Sequence, residues 1–99
     1  MSISVLIADD QAMIRAGFAA LLDANDDIRV VGQASNGQEA VTLSARLNPD
    51  VILMDVRMPE LDGIAATRRI LGSNYPAAHV PRILMLTTFD IDDYVYDAL

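Results

Sequence analysis

Residues Val51 to Gly63 read V-I-L-M-D-V-R-M-P-E-L-D-G, and the rest of the chain is organised around them. An apolar run stops at Asp55, then Met58-Pro59 and Asp62-Gly63 force the backbone round a loop. The run predicts a strand over Val51–Met54 that delivers Asp55 at its carboxyl end. A carboxylate buried there is costly unless something positive meets it.

Toward the N-terminus, Ile3 to Ala8 is a second apolar, β-branched run, of the kind buried on both faces of a parallel sheet. It ends in Asp9 and Asp10. The period then changes: Ile14, Phe18, Leu21 and Leu22 form one helical stripe within Gln11 to Ala24, with Gly17 marking close packing. Asn25-Asp26-Asp27 breaks that helix, and Ile28 to Ala34 reads as a strand. Ser35 or Asn36 can cap a helix from Gly37 to Leu47, its inner face on Ala40, Leu43 or Ser44, and Leu47. Asn48-Pro49-Asp50 ends it.

Toward the C-terminus, Asp62 caps a helix to about Gly72 with Ile64, Thr67 or Arg68, and Leu71 inward. Ser73 to Pro81 is looser and holds His79. Ile83 to Leu86 is a fourth strand ending in Thr87 and Thr88, and Asp90 caps a last helix from Ile91. Alternating strands and helices imply an α/β doubly wound parallel sheet with right-handed crossovers and helices on both faces.

The composition narrows the chemistry. Seven Arg and no Lys stand against fourteen acidic groups, a net charge of −7 in 99 residues, which argues against a nucleic-acid surface. With no cysteine there is no disulfide framework or thiolate site. No apolar run approaches the roughly 18 residues of a membrane span, so the expected location is cytoplasmic.

Ligands of such sheets sit beyond the strand carboxyl ends, at the switch in strand order. With the order 2-1-3-4 the first and third strands are neighbours, about 4.8 Å apart, and Asp9, Asp10 and Asp55 share one cleft. Like charges that close need compensation, and hard oxygen ligands suit Mg²⁺. A carboxylate beside such an ion can attack phosphorus in line and become an aspartyl phosphate. Thr87, one strand over, could donate to a phosphoryl oxygen. Each piece alone also reads blandly: Asp9-Asp10 as a helix cap, Thr87-Thr88 as strand filler, Asp62-Gly63 as a turn. Arg57, Arg68 and Arg69 read as solvated charge, His79 as inert, and Met13, Met54, Met58 and Met85 as packing. The joint pattern favours a site.

That pattern closely resembles the receiver domain of two-component response regulators, through Asp9-Asp10, L-M-D-V-R-M-P-E-L-D-G around Asp55, and L-T-T-F-D from Leu86 to Asp90. The ending T-T-F-D-x-D-x-Y-V-Y-x-A-L is similar to receivers joined to LuxR-type helix-turn-helix outputs. The resemblance implies a flavodoxin-like, CheY-like sheet of order 2-1-3-4(-5). It implies Asp55 as phosphoacceptor, Asp10 as a direct Mg²⁺ ligand, Asp9 as a largely water-mediated one, and the Arg57 backbone carbonyl as a further ligand. Thr87 would be the switch hydroxyl, Thr88 would shape access to the site, and a sensor histidine kinase would be the phosphoryl donor.

Family members continue through a fifth strand carrying a lysine, and a fifth helix. Residues 1–99 are therefore expected to be a receiver truncated at its C-terminus, without its DNA-binding output domain. The bare edge Ile83–Leu86 would then recruit another chain into a dimer or higher oligomer. Two other readings remain: an idle or dimerising interaction fragment, and a Mg²⁺-dependent aspartyl-phosphate phosphohydrolase. The phosphohydrolase is disfavoured because Arg57 stands where its acid/base carboxylate would be.

Overall fold

Strand β1 (Ile3–Ala8), helix α1 (Ala12–Asp23), strand β2 (Ile28–Ala34) and helix α2 (Gly37–Leu47) open the fold. Strand β3 (Val51–Asp55), helix α3 (Gly63–Gly72) and strand β4 (Arg82–Leu86) follow. The structure, a computed structural model, describes residues 2–72 and 80–86. Helical crossovers return each strand in the same direction. The sheet is accordingly all parallel, in the order β2-β1-β3-β4.

The two-residue period of the strands sorts the core into two layers. Leu6, Ala8, Ile52 and Met54 pack with Ala40 of α2 and with Ala66 and Ile70 of α3. Val5, Ile7 and Leu53 face the other way, against Phe18, Ala19 and Leu22 of α1. Ala8 pairs with Met54 across β1 and β3, so the next residues, Asp9 and Asp55, come side by side. The same alternation puts Asp9 on the face of Ile7 and Asp55 on the face of Leu53.

Local chemistry closes the helices. Asn36, rather than Ser35, caps α2 by accepting from the Glu39 amide at 2.7 Å, while the Ser35 hydroxyl donates to the Glu39 carboxylate at 3.1 Å. Asn48 ends that helix in the left-handed region at φ 46°, ahead of buried Pro49. Asp62 caps α3 by accepting from the Ala65 amide at 2.8 Å.

Several expectations need correction. The buried face of α3 is Gly63, Ala66 and Ile70, whereas Ile64 and Leu71 are half exposed. The helix is rotated by one position because Gly63, not a larger side chain, meets the end of β3. On α1, Ile14, Phe18 and Leu22 are half-buried, but Leu21 is 70% exposed and lies just outside the i, i+4, i+8 stripe. Gly17 is exposed, and a β-carbon there would meet nothing within 4 Å, so it marks no close packing. Met54 and Met58 are core residues, while Met13 and Met85 are exposed. His79, Thr87, Thr88, Asp90 and the helix expected from Ile91 lie outside the described residues. Among those described, no helix is long and apolar enough to cross a membrane.

Candidate functional site

The acidic site is built where β1 and β3 stop. Asp9 is buried at 1% exposure, and its amide still donates to the Ala34 carbonyl of β2 at 3.0 Å. Its Oδ1 accepts from the Gln11 amide at 2.8 Å, and its main-chain carbonyl accepts from Arg15 Nη1 at 2.7 Å. Asp9 does not cap α1; Gln11 holds the N-cap position, with no side-chain cap bond. The remaining oxygen, Asp9 Oδ2, is buried without a hydrogen-bond partner. A buried acceptor in that state costs about 1–3 kcal/mol unless something else satisfies it.

Asp55, equally buried, accepts from the Arg57 amide on Oδ1 at 3.3 Å. Asp10 follows Asp9 into the turn and is exposed. One carboxylate oxygen from each of Asp9, Asp10 and Asp55 lies within 4.8 Å of the others. Burial pushes the Asp9 carboxyl above its usual range. The Gln11 amide works against that shift, the Asp55 and Asp10 charges add to it, and the Arg15 charge opposes it. A divalent cation would relieve both the crowding and the orphaned oxygen, and an all-oxygen donor set fits a hard ion such as Mg²⁺.

The loop after β3 is pinned at several points. The Val56 amide donates to the Leu86 carbonyl at 3.1 Å, and the Gly63 amide to the Val56 carbonyl at 2.9 Å. A side chain at Gly63 would overlap the Asp55 carbonyl, and one at Gly37 would overlap that of Leu61. Met58 plugs the loop into the core. Between these anchors the Leu61 amide reaches the Pro59 carbonyl at 2.7 Å, around Glu60 at φ 67°. This is a tight γ-turn on a residue that does not favour it. An open cleft of about 550 Å³ lies beside the loop, lined by Asp10, Arg57, Met58, Pro59 and Asp62 among others.

Asp9, Asp10 and Asp55 are thus brought together as the sequence led us to expect, with the Arg57 peptide against Asp55. Thr87 follows Leu86, the partner of Asp55 in the β3–β4 register, but is outside the described residues. Sequence reasoning missed Arg15 and the two contact glycines. A basic residue four positions into the helix from Gln11 was the available signal for Arg15, but only folding shows that its guanidinium turns back to β1.

Comparison with known proteins identifies the family. The family model described as response regulator receiver domain matches residues 5–99. The chain is 47% identical over 97 residues to the transcriptional regulatory protein LiaR of Bacillus subtilis, covering 98% of this chain and 44% of that protein. It is 42% identical over 99 residues to the response regulator protein VraR of Staphylococcus aureus, covering 100% of this chain and 46% of that protein. The chain therefore spans less than half the length of these relatives. Among solved structures, the response regulator domain of Thermotoga maritima CheB superimposes with a TM-score of 0.81 at 38% identity, over 88% of this chain and 61% of that one. The receiver domain of the putative response regulator NarL from Mycobacterium tuberculosis gives 0.79 at 30% identity, over 98% and 75%. By sequence and fold together, the chain belongs to the response regulator receiver domain family.

Proposed function

We propose that this chain is the phosphoacceptor of a two-component system, taking a phosphoryl group from a sensor histidine kinase onto Asp55. One observation carries the reading: three carboxylates meet within 4.8 Å at the ends of two adjacent strands, one of them holding a buried, unpartnered oxygen. An Asp55 oxygen attacks phosphorus, the P–N bond to the donor imidazole breaks, and its electron pair returns to the ring nitrogen. Asp9, Asp10, Asp55 and the Arg57 carbonyl would hold Mg²⁺, which when bound offsets charge on the transferring oxygens. The Arg57 amide orients Asp55, and Thr87 supplies the switch hydroxyl.

The chain modifies itself and is not a turnover enzyme. Its work is cytoplasmic, and control of transcription passes through a DNA-binding output domain of the full-length protein. A self-associating reading is supported by β4, which pairs only with β3 among the described residues and exposes Leu84 and Met85. Light scattering that shows a monomer at high protein concentration would remove it.

The test of the main reading is incubation with Mg²⁺ and acetyl phosphate, followed by intact mass. A single phosphoryl adduct on the wild type, lost in Asp55→Asn and dependent on Mg²⁺, is the expected result. Sustained release of phosphate over many turnovers would instead support a phosphohydrolase.

A further inference from the structure

Arg15 is a partly buried cation on α1 that the proposed chemistry does not use. Its position has a specific cause. The Asp9 amide donates to the Ala34 carbonyl on β2. In extended backbone a residue's N–H and C=O point to the same side, so the Asp9 carbonyl faces β2 as well. A continuing parallel ladder would satisfy that carbonyl from Asn36, two residues past Ala34. Asn36 instead opens α2 as its N-cap. Arg15 Nη1 supplies the donor at 2.7 Å.

We infer that Arg15 is a positioning residue of the cation site, locking the β1–α1 turn so that Asp9 and Asp10 present their carboxylates to the ion. With the Gln11 amide on Oδ1 and Arg15 on the main-chain oxygen, two of the three Asp9 oxygens are held. The third is the buried one without a partner. The inference rests on the Mg²⁺-dependent reading above. It also makes a prediction opposite to simple electrostatics. A guanidinium near a cation site repels the ion, so deleting a bystander charge would tighten binding. Deleting a positioning group weakens it.

Calorimetric titration of the 99-residue chain with Mg²⁺ separates the two. Arg15→Met is expected to bind about tenfold more weakly, the scale typical of groups that orient metal ligands. Arg15→Lys, which keeps a donor and the charge, recovers most of that loss. Metal-free melting temperatures, measured in parallel, report any general loss of stability. Arg15→Met binding Mg²⁺ as tightly as wild type, or more tightly, overturns the inference. If that variant does not fold, Arg15→Gln takes its place, with weaker binding again expected and unchanged or tighter binding again overturning the inference. A wild type that neither binds Mg²⁺ nor accepts phosphoryl on Asp55 sinks the functional reading, and this inference with it. A wild type that does both, beside an indifferent Arg15 variant, sinks this inference alone.

Discussion

The β1–β3 pair has aspartates at both of its ends, Asp50 at the amino end and Asp9, Asp10 and Asp55 at the carboxyl end, and the two ends treat them in opposite ways. At the amino end, Asp50 Oδ2 accepts from the Ser4 amide at 2.9 Å and from the Ser4 hydroxyl at 3.0 Å. The Asp50 amide and carbonyl are also engaged, the first by the Ser4 carbonyl at 3.0 Å and the second by the Arg82 amide at 2.9 Å. That carboxylate is exposed and well matched; its residue clasps three strands together. At the carboxyl end, Asp9 is buried and crowded by Asp10 and Asp55, with one oxygen left over. A satisfied exposed carboxylate is structural. An unsatisfied buried one, held beside two others, is stability given up at the site where the proposed cation would bind.

The largest expected effect tests whether the carboxyl end is rigid. Gly63→Ala drives a methyl group into the Asp55 carbonyl, a contact with backbone that cannot swing aside. A loss of about 3 kcal/mol in urea denaturation is expected. Near-wild-type stability would mean that the loop yields, and the rigid half of the contrast would fall.

The next effect tests the contrast by sign. Asp9→Asn keeps an acceptor for the Gln11 amide and turns the orphaned oxygen into a donor facing two carboxylates. Metal-free stability should rise by about 1 kcal/mol, or about 4–8 °C in melting temperature for a domain of this size. Mg²⁺ should then stabilise the variant far less than it does wild type. Asp50→Ala should instead lose about 1 kcal/mol, with the Mg²⁺ effect intact. Shifts in the same direction for both variants would show that the two ends do not differ as described.

How much of this is legible in the sequence varies by region for physical reasons. The strands and the Asp9, Asp10, Asp55 cluster follow from apolar runs that end in acids, because a two-residue period and a parallel order leave little freedom. Helix faces are less legible. On α3 the strongest apolar side chains, Ile64 and Leu71, give a stripe one position off, because a single backbone contact at Gly63 sets the rotation. Leu21 on α1 fails for the related reason that a residue at the margin of a stripe is decided by its neighbours. The contact that Arg15 makes is invisible because its partner is a main-chain carbonyl, which carries no residue-type signal. The γ-turn at Glu60 is hidden for a similar reason, since glutamate is not a residue that announces positive φ.

That turn yields a smaller prediction on the loop that closes the carboxyl end. Glu60→Gly removes the conformational penalty at φ 67° but adds freedom to the unfolded chain. The net gain should be about 0.5 kcal/mol, read in the same urea series. A loss would mean that the glutamate side chain contributes more than its backbone costs.

The same Asp9→Asn variant also carries a pH dependence, set by the Asp9 carboxyl. Its carboxyl is raised in the folded protein above its ordinary 3.8, chiefly by burial. Between those two values the folded state holds a proton that the unfolded state has released. The Asp9 contribution is therefore fully present below the unfolded value and is lost as pH rises through the folded one. The informative quantity is the stability of Asp9→Asn minus that of wild type, without Mg²⁺. It should be smallest near about pH 4 and should grow toward neutrality, with the growth suppressed when Mg²⁺ is added. A difference that stays flat between about pH 4 and about pH 8 would mean that Asp9 is not titrating against burial. The unmatched oxygen would then have found a partner by relaxation of the turn, and the two ends of the sheet would be alike after all.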